Sequence, residues 1–254
     1  MKKLFPLLIV LISLCACNTT KTQTDLEKND LGKGVRSVRI IMHEAAQEPD
    51  GLVVRGRKMW YGDNYELIFN ENGMKTEMRK YRIDNVITDS IIYNYTDGRI
   101  SGETIYWHGQ LVRNNEYIWE KDKLKTVLRI DTAGMERSRT EYAYPDRKTE
   151  IITQYDEKGG ISSTTTNIYD KGKVVDSFMD SKKYPLRLLT TYDKSGREES
   201  VISIDMDNGK EVLRTPFKFE YRFDDHGNWT EQIRFRGVEM EPDMVITREI
   251  EYYQ

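Results

Sequence analysis

Phe217-Lys-Phe-Glu-Tyr-Arg-Phe-Asp-Asp-His-Gly-Asn-Trp-Thr230 is the stretch that decides the fold class. In its first half, Phe217, Phe219, Tyr221 and Phe223 alternate with Lys218, Glu220 and Arg222. Successive side chains of an extended chain point to opposite faces, so four rings fall on one face and three charges on the other. The second half, Asp224-Asp-His-Gly227, supplies a carboxylate that caps its own turn and a glycine able to take positive φ. Strand and reversal follow one another within fourteen residues.

The same unit recurs through the chain. Turns of this composition start at Phe69-Asn-Glu-Asn-Gly73, Tyr95-Thr-Asp-Gly98, Tyr155-Asp-Glu-Lys-Gly159, Tyr169-Asp-Lys-Gly172 and Tyr192-Asp-Lys-Ser-Gly196. Between Tyr95 and Tyr169 the turn starts at Tyr106, Trp119, Ile130, Tyr144 and Tyr155 are spaced 11 to 14 residues apart, alternating shorter and longer. Strands of five to eight residues fill that spacing, which predicts a meander of hairpins with shorter loops at one edge and longer loops at the other. Ile91, Tyr93 and Tyr95 alternate like the first stretch, and Leu124, Thr126, Leu128 and Ile130 read as another one-face set. Ser162 to Asn167 has little to bury and reads as a strand wet on both faces or lying near an edge. Val35 to Glu48 carries both helical and alternating signals and is assigned as strand, which leaves no helix in the chain. The expected fold is all-β: an extended, curved antiparallel meander forming a single-layer sheet or open half-barrel.

The Tyr-Asp-x-x-Gly turns, above all Phe223-Asp-Asp-His-Gly-Asn-Trp-Thr230, resemble the YD repeats of Rhs-type bacterial proteins. Tyr95-Thr-Asp-Gly-Arg-Ile-Ser-Gly-Glu-Thr-Ile-Tyr-Trp-His-Gly-Gln-Leu111 is similar to the hairpin repeats of MORN-like proteins. The resemblance implies a continuous sheet wound from hairpins and carries no activity with it. Trp119-Glu-Lys-Asp-Lys and Tyr144-Pro-Asp-Arg depart from the pattern.

The N-terminus gives an address. Lys2 and Lys3 precede the apolar run Leu4 to Leu14, too short to span a bilayer and of the right length for a secretory signal. Leu14-Cys15-Ala16-Cys17 resembles the lipobox of bacterial lipoproteins, which implies cleavage after Ala16 and acylation at Cys17. Cys15 fits less well, because it would put Leu14 where a small residue is wanted. Residues 1–16 then form a lipoprotein signal peptide, 17–33 a flexible tether and 34–254 one β-repeat domain. Several acyl chains at one residue anchor firmly, at about 0.8 kcal/mol per buried methylene. The expected location is the cell envelope, and Asn18 after the cysteine resembles proteins sent on to the outer membrane. No acidic cluster follows it to suggest surface export, so the periplasmic and surface faces both stay open.

Charge and chemistry narrow the rest. Charged residues make up 32%, mean hydropathy is −0.70 and the formal charge is −3, made more negative when Lys2 and Lys3 are removed. That excludes a nucleic-acid footprint and a polybasic membrane patch. His43, His108 and His226 are too far apart in sequence for a local metal pair, and no nucleophile elbow is present. Gly32-Lys-Gly34 is too short for a phosphate loop, and Asp205-Met-Asp-Asn-Gly209 reads as an Asn-Gly hairpin because Pro216 stands where a calcium loop needs glutamate. No catalytic, metal or cofactor residue is assigned. Tyr93, Tyr95, Tyr142, Tyr144 and Tyr221 are candidate ligand-facing rings, with burial in the core as the favoured reading. Asp89-Ser90-Ile91 and Asp131-Thr132-Ala133 resemble an envelope O-glycosylation acceptor at Ser90 and Thr132. The expected function is a non-enzymatic, lipid-anchored binding or scaffold protein whose partner is an envelope protein or glycan. The alternatives are a half-barrel carrier of a lipid or apolar ligand and a glycan-processing enzyme built on two carboxylates.

Overall fold

The computed structural model describes residues 24–59, 64–181 and 184–254. A short helix, α1 (Asp25–Lys28), precedes the strands β1 (Val35–Gln47), β2 (Val53–Lys58), β3 (Asn64–Phe69), β4 (Lys75–Tyr81), β5 (Ile87–Thr96) and β6 (Arg99–Trp107). These are followed by β7 (Gln110–Glu120), β8 (Lys123–Asp131), β9 (Glu136–Ala143), β10 (Thr149–Tyr155), β11 (Ile161–Asp170) and β12 (Lys173–Ser181). The last are β13 (Leu186–Tyr192), β14 (Glu198–Asp207), β15 (Lys210–Phe223), β16 (Trp229–Arg236) and β17 (Glu241–Tyr252). From β3 onward every strand pairs antiparallel with its sequence neighbour.

The meander of hairpins is as expected, but it is neither an open half-barrel nor a single-layer sheet. β1 pairs on one flank with β17, from Val35 opposite Tyr252 to Glu44 opposite Met244. Its other flank pairs with β3, from Ser37 opposite Ile68 to Ile40 opposite Tyr65. The ring therefore closes, and β1 with β3–β17 makes a 16-strand barrel. Closure satisfies the backbone groups that two free edges would leave unpaired. Alternation along a strand records which side chains share a face; it carries no record of whether the first strand meets the last. β1 can do so because, at 13 residues, it also has length for β2, which pairs with its far half at Gln47 opposite Val53.

Two turn types reverse the chain, as the spacing predicts. In the five-residue type the first side chain, Asn70, Asp131, Asp156, Asp193 or Asp224, accepts the backbone N–H two and four residues on. The second type has two residues, as at Asp97-Gly98, His108-Gly109, Lys171-Gly172 and Asn208-Gly209, with both φ values positive. The types are not sorted by edge. Val35 opposite Tyr252 puts the start of β1 and the end of β17 at one end of the barrel, the terminal end, and that end holds the turns at Asn70, Asp193 and Asp224 with those at Asp97 and Lys171. The far end holds the turns at Asp131 and Asp156 with those at His108 and Asn208.

Side chains opposite one another across a ladder share a face, so the register sorts inside from outside. Leu26, Leu31, Val35, Val38, Ile40, Leu67 and Phe69 form a buried core inside the terminal end, with Tyr65, Met78, Ile246, Ile250 and Tyr252 packed against it. Val201, Phe217 and Phe219 form a second cluster on the inner wall. Lys218 and Glu220 face outward and are exposed, so the alternation read in the deciding stretch holds. The expected set Leu124, Thr126, Leu128 and Ile130 does not. A bulge sets Ile118 opposite Thr126 but Trp119 opposite Leu124, so the extra residue Lys125 moves Leu124, buried, onto the face of Val127. Ser162 to Asn167 is neither an edge nor wet on both faces: β11 is paired on both flanks and Asn167 is buried.

Candidate functional site

The inner wall at the terminal end is cross-linked by hydrogen bonds and an ion pair to residues 24–33. Residues 24–33, expected as the end of a flexible tether, are seated there instead; Cys17 and residues 17–23 lie outside the described residues. Thr24 and Glu27 make a capping box around α1, each side chain accepting the other's backbone N–H. Leu26 N–H donates to the Gly73 carbonyl (3.1 Å). Asp25 Oδ2 accepts from Lys75 N–H (3.0 Å) and Tyr95 O–H (2.6 Å). Asn29 carbonyl accepts from Arg248 Nη2 (2.9 Å), Lys173 Nζ lies 3.6 Å from Asp30 Oδ1, and Gly32 N–H donates to Asn228 Oδ1 (2.6 Å). A segment this short touches β4, β5, β12 and β17 together only from within the ring. It is a plug.

The sequence-selected tyrosines fall on or beside this wall. Tyr93 is buried with Lys75 Nζ 4.1 Å from its ring centre, and burial pushes both groups toward their neutral forms. Tyr95 binds Asp25 of the plug, so burial and that carboxylate hold its phenol protonated. Tyr142 is pushed up to about 12 by burial, with Glu150 and Glu103 adding to it. Tyr221 O–H donates to the Glu198 carbonyl (2.9 Å) and accepts from Gln232 Nε2 (2.8 Å). Tyr144 follows β9 in the loop at the terminal end, beside Lys123 Nζ (4.7 Å from the ring centre).

The acidic and cationic side chains of this wall escaped the sequence reading. Glu103 accepts from Asn115 Nδ2 (2.7 Å), and burial and Glu103 together push the Tyr117 phenol up. Glu150 is buried and accepts from Asn167 Nδ2 (3.0 Å) and Tyr169 O–H (2.9 Å). Glu198 is pushed up by burial and then by Asp30, with Lys173 opposing. Arg248 lies 3.5 Å over the Trp229 ring and is brought down to about 10 by burial. Asn228 Nδ2 donates to Tyr252 O–H (2.8 Å), which donates to Asp224 Oδ2. The Thr24-x-x-Glu27 spacing was the available signal for the plug; nothing in the spacing marks Glu103 or Glu150 as inward.

Toward the far end, a polar cavity of about 300 Å³ is lined by residues of β8–β11, including Arg129, Thr140, Gln154 and Ser162. Thr132 is exposed in the Asp131 turn, whereas Ser90 is half-buried within β5 between Arg79 and Tyr106. His226 is exposed at its turn and its ring lies 4.2 Å from that of Tyr252.

This geometry defines a closed antiparallel β-barrel stoppered at one end by its own N-terminal segment. No family model and no curated protein matches the chain. Solved structures similar in fold include two porin-like proteins. A porin-like protein from Bacteroides uniformis is 13% identical with a TM-score of 0.54, over 86% of this chain and 97% of its own. A porin-like protein from Bacteroides vulgatus is 11% identical with a TM-score of 0.50, over 87% of this chain and 99% of its own.

Proposed function

We propose that this chain is a non-enzymatic, lipid-anchored barrel of the bacterial cell envelope that serves as a binding or scaffold protein, standing on a membrane without spanning it. The observation that carries this reading is the outer wall. A spanning barrel needs an apolar outer band, and a lysine or arginine there costs about 2–4 kcal/mol at mid-bilayer. Here Arg79, Arg139, Arg187, Lys218 and Arg222 stand on the outer face, with Glu77, Glu141, Asp176 and Glu220. Summed over several cations, that cost outweighs what scattered outer residues such as Ile92 and Ile118 return. The lipobox-like Leu14-Cys15-Ala16-Cys17 would supply the alternative attachment. The likeness to porin-like proteins from Bacteroides is consistent with an envelope location, with the outer membrane the specific site proposed. A carrier would need an unfilled apolar groove, but Leu26 and Leu31 fill the inner face at the terminal end.

The test is acylation and extraction. The wild type takes up labelled palmitate and needs detergent for release from membranes; Cys17→Ser takes up none and leaves them in alkaline carbonate. A Cys17→Ser protein that resists carbonate is a spanning barrel, and the proposal fails.

A further inference from the structure

The far end of the barrel carries an unusual rim. All seven of its hairpin reversals, from β4–β5 to β16–β17, expose at least one large apolar side chain in the turn or within three residues of it. Val86, Trp107, Met135, Ile161, Tyr184, Val212 and Val238 represent one from each, with Trp107 59% and Val238 85% exposed. By the same measure the terminal end, with as many turns, exposes only Ile118, Phe223 and the tail residue Tyr253 among the described residues. Water-exposed turn tips are ordinarily polar, so a full ring of apolar tips at one end calls for a partner.

We propose that this rim docks on the surface of a lipid bilayer. Some charges beside the tips pair with one another, Arg82 with Asp84 (2.8 Å), Arg137 with Asp131 (2.6 Å) and Arg214 with Glu211 (2.9 Å), while Glu157, Lys158, Asp207, Lys210, Glu239 and Glu241 mix both signs among the other tips. With both signs mixed around the rim there is no single-sign surface for a charged partner, and apolar contact is what the rim has to offer. No single turn approaches the ~800 Å² per partner that a stable protein interface buries. The apolar tips are instead distributed around a ring, and a fluid surface can receive all of them at once without a matching shape. Trp107 and Tyr184 are the residue types that settle at the boundary between headgroups and acyl chains. Depth is limited from behind. Arg139, Arg187 and Arg214 stand on the outer wall within a few residues of the tips, so only the rim enters. This docking does not depend on acylation of Cys17.

The test uses the mature chain from residue 17 with Cys17→Ser, so that no acyl group contributes, floated with vesicles of phosphatidylcholine alone or mixed with phosphatidylglycerol. The protein is expected to float with both. A Trp107→Asp, Val212→Asp, Val238→Asp variant, with an unchanged melting temperature because all three side chains are exposed, is expected to lose roughly tenfold or more in partitioning. Failure to float with either vesicle overturns the proposal, as does equal flotation of the variant. Flotation only with phosphatidylglycerol overturns it in favour of charge attraction. Should the rim variant lose a cross-link to an envelope protein while wild type ignores vesicles, the rim is a protein interface instead.

Discussion

At the scale of single residues, the turn glycines separate two costs that sequence alone merges. Gly73 and Gly227 occupy the same position of the same five-residue turn, at φ of +75° and +79°. Any L side chain at that φ costs about 1–2 kcal/mol. A Cβ at Gly227 meets nothing within 4 Å, whereas one at Gly73 lies 3.1 Å from Leu26 Cδ1 and 3.3 Å from Thr24 Cβ. Gly227→Ala is therefore expected to pay the backbone cost alone. Gly73→Ala should lower the melting temperature further and should loosen the plug. Equal shifts for the two variants in thermal unfolding would show that the plug does not press on this turn. The repeat was legible because Asp, Asn and Gly do local work in these turns. The direction of a neighbouring carboxylate such as Glu150 is set by strands far off in sequence, and no local pattern encodes it.

At the scale of elements, α1 shows what composition hides. Asn18 to Lys33 is polar, and its two useful apolar residues, Leu26 and Leu31, show no periodicity to distinguish them from a tether. Four residues are too few to hold a helix on propensity, so α1 exists through its capping box and its burial. Thr24→Ala removes the acceptor for Glu27 N–H, a loss of about 0.5–2 kcal/mol for such caps. Leu26→Ala removes a buried side chain, with about 2–5 kcal/mol typical at well-packed sites. Both changes are expected to act locally. Amide exchange should quicken over residues 24–33 while the β1–β17 ladder keeps its protection, because the ring closes without the plug. If that ladder loses protection in step with the plug, the two form one cooperative unit. The strands themselves were readable from alternation, but bulges were not: Lys125 adds one residue to β8 and reverses the facing of Leu124 against its expected partners.

At the scale of the whole molecule, closure brings the plug against strands from distant parts of the sequence, and that contact carries a pH signature. Asp30 of the plug approaches Glu198 of β14, and burial with this second carboxylate holds the Glu198 pKa above its ordinary 4.5. The folded state thus disfavours the charged form. Below the unfolded value of 4.5 the group is protonated in both states and has no effect; above the raised folded value the full penalty is present. Lys173, 3.6 Å from Asp30, offsets part of it. Asp25 runs the opposite way: burial raises its pKa, but Lys28, Tyr95 and Lys75 together outweigh that and hold it below 3.8, so its contribution is present at neutral pH and lost as pH falls through the lowered value. Glu198→Gln keeps the shape and removes the charge. It should melt above wild type at pH 7, and the gap should close as pH is lowered toward 4.5. Asp30→Asn should shrink the benefit of Glu198→Gln at pH 7, because it removes one source of the penalty. Additive gains from the two substitutions would mean that the carboxylates do not sense each other and that the plug sits farther from β14 than the barrel places it.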